Sequence, residues 1–282
     1  MSYRTFDVRR VAGALGAELT GIDLGKPLDD AVIAEIRQAL LDHQVIFFRD
    51  QHLTPEQHLA FGRRFGGLNV HDFVGGMAGY PEIIEVRKEA DDRGSNFGGA
   101  WHSDVTYLEQ PALGSILYAR EVPDFGGDTL FASMYMAYDA LSDGMKRMLG
   151  GLTAIHSARR PYGPRSDWFA TQRAMDIRRS NSAQAEIEHP VIRTHPETGR
   201  KGLFVNSTFT IRFGGMSEEE SAPLLDYLYR HLVRPEFTCR FRWSTNAIAF
   251  WDNRCVQHYA INDYHGQRRV MHRVTINGDR PH

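Results

Sequence analysis

Residues 251–273 read WDNRCVQHYAINDYHGQRRVMHR. The stretches on either side of its middle, residues 247–251 and 270–276, are apolar and β-rich, so the segment reads as two strands joined by polar loops. Arg269 and Arg273 are four apart, so on a strand they share a face while Arg268 and His272 point the other way. Two guanidiniums converging into a β interior are unfavourable unless each meets an anion. The planar fork suits a carboxylate or sulfonate. On spacing alone, the same pair would equally well cap surface carboxylates.

His258 of this segment lies 154 positions after Asp104 of AWHSDVTY, residues 100–107. There His102 and Asp104 are two apart, a spacing that on a strand aims both side chains into one cavity. With 13 histidines and 20 aspartates in 282 residues, about one His-x-Asp arises by chance, so the motif needs its partner. Two histidines and one carboxylate on one face of a metal form the triad of non-haem Fe(II) oxygenases, which leaves positions open for a co-substrate and O2.

Further out, residues 28–43 carry helical spacing and 45–48 read as a buried strand. Thr54 and Pro55 open a helix that should end near Gly66-Gly67. Residues 83–86 are a strand candidate. From residue 100 short β runs recur at 115–118, 152–156, 191–194, 203–205, 247–251 and 270–276, with turn signals between them and helices around 134–149 and 217–232. This pattern predicts a sandwich or barrel. Residues 157–187 are polar, Arg-rich and weakly periodic, the texture of a surface insertion or a lid.

The chain has 42% hydrophobic and 24% charged residues and a formal net charge of −2, so it has no global basic field for nucleic acid. Cys239 and Cys255 cannot build a disulfide framework. The N-terminus lacks the apolar core of a signal peptide, and no apolar run approaches a membrane span. A soluble, cytoplasmic protein is expected, with no membrane partner. His156, His189, His195 and His272 read as structural, hydrogen-bonded groups, and His43, His52 and His58 as solvent-facing.

The quoted segments, with GAELTGIDL (16–24), VIFFRDQ (45–51), GGDTLF (126–131) and HPVIRTHPETGRK (189–201), resemble the taurine dioxygenase/2,4-D dioxygenase family from near Val8 to Pro281. The look is closest to taurine dioxygenases, and residues 133–142 are similar to phenoxypropionate-degrading members. The resemblance implies one 1–282 domain, mainly β with flanking helices, whose core is a double-stranded β-helix (a cupin-like jelly roll), with 157–187 as its lid. It implies Fe(II), 2-oxoglutarate as co-substrate and O2. His102, Asp104 and His258 match the catalytic iron ligands. Thr129 and Arg269 match the 2-oxoglutarate grip, and Arg273 and His71 the substrate-anion grip. By alignment a pocket tyrosine falls at Val74, a pocket asparagine near Gly98, and a serine-phenylalanine pair at Pro161-Tyr162.

The implied reaction hydroxylates a C–H beside the heteroatom of a small organic anion, releasing an aldehyde and the anion with succinate and CO2. A sulfonate such as taurine, a longer alkyl sulfonate or an alkyl sulfate is the first expectation. A pocket without the tyrosine and the asparagine would be less polar and would favour an apolar chain over taurine's ammonium. An aryloxyalkanoate is the alternative within the family, and a metal-binding cupin-like protein without oxygenase activity the alternative outside it. Family analogy also implies a homo-oligomer, a dimer or tetramer.

Overall fold

A computed structural model describes residues 3–170 and 174–282. Its largest sheet has seven strands in the order Asp7–Arg10, Ala17–Thr20, Val45–Phe48, Ile248–Asp252, Ala112–Glu121, Arg269–Asn277 and Ile83–Lys88. A facing sheet runs Thr238–Phe241, Thr129–Ser133, Val256–Ala260. A third, Thr210–Phe213, Thr153–His156, Ile187–Pro190, and a ribbon of Lys201–Leu203 with Ile192–Thr194 complete the β structure.

Strand Val45–Phe48 is apolar at every position because both faces of the large sheet are covered there. Along Val45–Phe48 all four residues are buried, but they alternate between two cores. Val45 and Phe47 pack toward the facing sheet with Leu117, Ala249, Trp251, Met271, Phe131, Phe241 and Val256. Ile46 and Phe48 pack the other way with Ile116, Ile248 and Phe250, under Ile33, Ile36 and Leu40 of helix Asp30–His43 and Phe61 of helix Pro55–Arg63. Period 2 thus places one residue in the sandwich and the next beneath the helices.

The second helix begins as the sequence dictates, with the Thr54/Gln57 capping box and Pro55 at its first turn. It closes at Arg63, before the expected glycines. The helical stretch 134–149 divides into Met134–Asp139 and Asp143–Leu149, because Ser142 caps the second piece through Met145 N. The run expected at 203–205 is strand only over Lys201–Leu203. The strand expected at 115–118 extends over Ala112–Glu121.

His58 corrects an expectation. It is buried on the sheet-facing side of its helix, against the Tyr118 ring. His43 is half-buried and His52 exposed. The other structural histidines hold bonds as expected: His156 with Thr106, His189 with the Thr106 and Leu108 carbonyls, His195 with Asp252, and His272 with Glu85. No helix among the described residues is long and apolar enough to cross a membrane.

Candidate active site

His258 sits at the middle of strand Val256–Ala260, opposite Phe131. His102 joins it through an isolated antiparallel bridge, its N–H donating to His258 O (3.2 Å) while His258 N donates to His102 O (2.8 Å). Residues opposed in such a bridge project to the same side, and the two imidazole centroids lie 4.1 Å apart.

The strand geometry expected across residues 102–104 is not what aims Asp104. The bridge ends at His102 and Asp104 opens a turn. The next residue, Val105, has φ +48. A β-branched side chain in the left-handed region is strained by roughly 1–3 kcal/mol, and such residues persist where their surroundings over-determine them. Those surroundings are visible: His189 Nε2 donates to the carbonyls of both Thr106 (3.1 Å) and Leu108 (3.0 Å), and Thr106 Oγ1 accepts from Asn206 Nδ2 (3.1 Å).

One oxygen of Asp104, Oδ1, lies 3.7 Å from His102 Nε2 and 3.9 Å from His258 Nε2, and all three residues are buried. His102 Nδ1 donates to Ala100 O (2.7 Å), which leaves Nε2 as the lone-pair nitrogen. Burial holds both imidazoles below the usual histidine range, with the neighbouring histidine adding to the effect at His258. Burial alone would raise the Asp104 carboxyl, but Arg273 and the two histidines outweigh it and hold the group well below the usual carboxylate range. Two neutral imidazoles and one carboxylate, with donor atoms within 4.8 Å of one another, fit a divalent iron.

A second buried cluster, His195, Asp252 and Cys255, is also built of metal-ligating residue types but does not fit an ion. His195 Nδ1 accepts from the backbone N–H groups of Glu197 and Thr198, and its Nε2 pairs with Asp252 Oδ2. Arg254 fills both Asp252 oxygens.

The two arginines share a face of strand Arg269–Asn277, as their spacing predicts, and both are buried. Arg268 points away to Glu89 and Glu121, and His272 to Glu85. Arg269 has no acidic hydrogen-bond partner among the described residues, and its Nε and Nη2 have no hydrogen-bond partner among them. Trp243 and Tyr264 flank it at 5.9 and 6.0 Å. Thr129 stands nearby on the facing sheet; its Oγ1 accepts from Trp243 Nε1 (3.0 Å), so the hydroxyl proton is free to donate. A buried guanidinium beside an oriented hydroxyl fits the distal carboxylate of 2-oxoglutarate. Trp243 lies outside every sequence motif, and nothing in RFRWST signals its role.

Arg273 donates Nη1 to Asp104 Oδ1 (2.8 Å) and packs against the Phe97 ring, and its Nε has no partner among the described residues. His71 Nδ1 accepts from Phe73 N (3.1 Å), so Nε2 carries the proton, aimed toward Tyr107 Oη at 3.5 Å. Burial, then the charge of Arg273, pulls the His71 imidazole down to about 3. It is a neutral hydrogen-bond donor.

Beside His102 opens a pocket lined by Asn96, Phe97, Gly98, Tyr162, Phe169 and Phe209, among others. Gly98 and Tyr162 lie on this lining. Val74 is not on this lining: it is buried against the aromatic cluster and bridges Ile177. The expectation of a wall without an amide also needs correction. Gly98 has φ +79, and the Asn96 side chain two residues earlier reaches the same wall, donating to Ala260 O (3.1 Å). The walls carry several aromatic rings, with Phe169 stacked on Phe97 at 5.6 Å and Tyr162 on Phe73 at 5.0 Å.

The model of the taurine catabolism dioxygenase TauD, TfdA family matches residues 7–275. The chain belongs to this family. It is 36% identical over 274 residues to the alkylsulfatase of Acinetobacter baylyi, covering 96% of this chain and 85% of that one. It is 36% identical to an alpha-ketoglutarate-dependent sulfate ester dioxygenase of Pseudomonas putida, covering 98% and 90%. The crystal structure of a taurine dioxygenase from Burkholderia xenovorans superposes with a TM-score of 0.83 at 35% identity, covering 99% and 93%. The protein is thus a 2-oxoglutarate-dependent dioxygenase using Fe(II) and O2, and the alternative of a metal-binding protein without oxygenase activity is set aside.

Proposed function

We propose that the protein oxidises the carbon next to the heteroatom of a sulfate ester or sulfonate bearing an apolar tail. The fold is read as a jelly roll forming one domain over 1–282, with 157–187 as its lid; residues 171–173 of that stretch lie outside the described residues. His102, Asp104 and His258 hold iron, and Arg269 with Thr129 holds the distal carboxylate of 2-oxoglutarate. When bound, iron with 2-oxoglutarate and O2 supplies the oxidising chemistry, and the co-substrate leaves as succinate and CO2. The chain's residues do the rest. His71 donates from Nε2 to an anionic oxygen, and Arg273 supplies the positive charge. Phe97, Tyr162, Phe169 and Phe209 hold the tail and exclude water. The hydroxylated carbon then expels sulfate or sulfite and leaves an aldehyde. Both cysteines are free and buried, in keeping with a cytoplasmic setting.

The observation that carries this reading is the aromatic pocket opening beside His102. Its walls offer no carboxylate to an ammonium, while each buried methylene contributes about 0.8 kcal/mol. Succinate formation coupled to substrate is measured for taurine, a hexyl sulfonate, a hexyl sulfate and an aryloxypropionate. A kcat/KM for the hexyl anions at least tenfold above taurine is expected. A tenfold preference for taurine overturns the apolar-tail reading, and preference for the aryloxypropionate moves the substrate to the phenoxy acids.

A further inference from the structure

The carboxylate of Asp104 is held differently at its two oxygens. Oδ1 faces His102, His258 and Arg273. Oδ2 accepts from Ser115 Oγ at 2.8 Å and faces Asn253 Nδ2 at 3.4 Å. Asn253 can be oriented without ambiguity. Its Oδ1 accepts from two groups that can only donate, the Trp251 indole N–H (2.9 Å) and the Asp104 backbone N–H (3.0 Å). The amide nitrogen is therefore turned toward Ser115 Oγ (3.1 Å) and Asp104 Oδ2. Ser115 receives that N–H and spends its own proton on the carboxylate. All of these groups are buried, so no water competes for them.

We propose that Asn253 and Ser115 are positioning residues that make Asp104 a ligand through one oxygen only. The inference rests on His102, Asp104 and His258 as the iron ligands. Iron held by the two imidazoles would need open positions for 2-oxoglutarate and O2, which would leave room for only one oxygen of the carboxylate. A carboxylate free to rotate and bind through both oxygens would occupy the position that O2 needs. Two donors behind Oδ2, one itself locked by a backbone N–H and an indole, oppose that rotation. One Asn253 amide thus faces the carboxylate with Nδ2 and accepts the Asp104 backbone N–H at Oδ1, which ties the ligand's rotation to the turn that His189 clamps.

The test is titration of the metal-free full chain with Co(II), followed by visible absorption, for the native chain and for Asn253→Ala and Ser115→Ala. Losing groups that orient metal ligands weakens metal binding by about 10–100-fold. Co(II) affinity is expected to fall into that range in Asn253→Ala and less in Ser115→Ala, with the Co(II) bands changed in both. The Fe(II)–2-oxoglutarate charge-transfer band should shift in both as well. A merely structural role would lower thermal stability and leave the spectrum of the bound ion unchanged. If the native chain binds Co(II) and Ser115→Ala binds it with equal affinity and an identical spectrum, the proposal is wrong. Should Asn253→Ala fail to fold, Ser115→Ala, which removes one oxygen, decides. If the native chain binds no Co(II) or Fe(II), it is the ligand assignment that fails.

Discussion

Arg269 is a buried cation with two donors that no described residue answers, and removing it separates function from stability. Loss of a charge-assisted contact of this kind costs roughly 2–5 kcal/mol, so Arg269→Ala should weaken 2-oxoglutarate by about 30-fold or more. Arg269→Lys should recover only part, because an ammonium cannot reproduce the fork. Replacing an uncompensated buried charge with a packed apolar group tends to stabilise, so Arg269→Met should unfold, without ligand, at a temperature no lower than the native chain. Calorimetric titration with 2-oxoglutarate and a melt of the ligand-free chain give both readouts. An unchanged Kd in Arg269→Ala removes Arg269 from the co-substrate site.

Two elements meet at the pocket beside His102. The segment carrying Trp168 and Phe169 is tied to the 95–98 loop by Ser95 Oγ donating to Trp168 O (2.6 Å), and to residues 73–75 by Arg178 N donating to Phe73 O (2.8 Å) and Gly75 N to Asp176 O (2.8 Å). Phe169 is the apolar contact of this clasp. Phe169→Ala should raise KM about tenfold or more for a hexyl sulfate, as truncating a large ring forfeits about 1.5 kcal/mol or more of burial. It should change KM for a methyl sulfate much less. Equal effects on both substrates would place Phe169 outside the tail site. In strand Ala112–Glu121, Gly114 faces Asp252 across the ladder, and a Cβ there would lie 2.7 Å from Trp251 O and 2.9 Å from the Phe250 ring. Gly114→Ala should destabilise by about 1–3 kcal/mol through overpacking, read as a lower urea midpoint; an unchanged midpoint would mean that the central sheet yields there.

At the scale of the whole molecule, a set of buried histidines is held below the usual imidazole range by burial. His58 and His71 are both drawn down to about 3, and His102, His156 and His258 are lowered in the same direction. The unfolded chain takes up these protons near the ordinary value of about 6.5, well before the folded chain does. Between roughly pH 6.5 and 3 the unfolded state therefore binds more protons, so stability is full above that window and falls as pH drops through it. Each fully buried histidine contributes a slope of about 1.4 kcal/mol per pH unit. Urea unfolding of the metal-free chain should show a steep loss between pH 6.5 and 4, reduced by about one proton in His58→Phe. A flat profile would refute the neutral-histidine account.

The sequence by itself determined the pieces whose information is local. The alternation of apolar and polar residues and the Thr54–Pro55 start are written in neighbouring positions. The single face of Arg269 and Arg273 follows from period 2, and the candidate ligand set could be proposed because His102, Asp104 and His258 lie inside motif segments. Tertiary structure decided what depends on residues far apart in the chain. Asp104 is aimed by a strained turn clamped from His189, not by the strand that its spacing to His102 suggests, because hydrogen bonds from another sheet override local preference. His58 looks solvent-facing on a polar helix, but the face it lies on is covered by the large sheet. Val74 leaves the pocket because Ile177 pairs with it, and Asn96 enters the wall because the left-handed Gly98 turns the loop. Trp243, Ser115 and Phe169 acquire roles only through packing, since no spacing along the chain records which side chains a closed sandwich brings together.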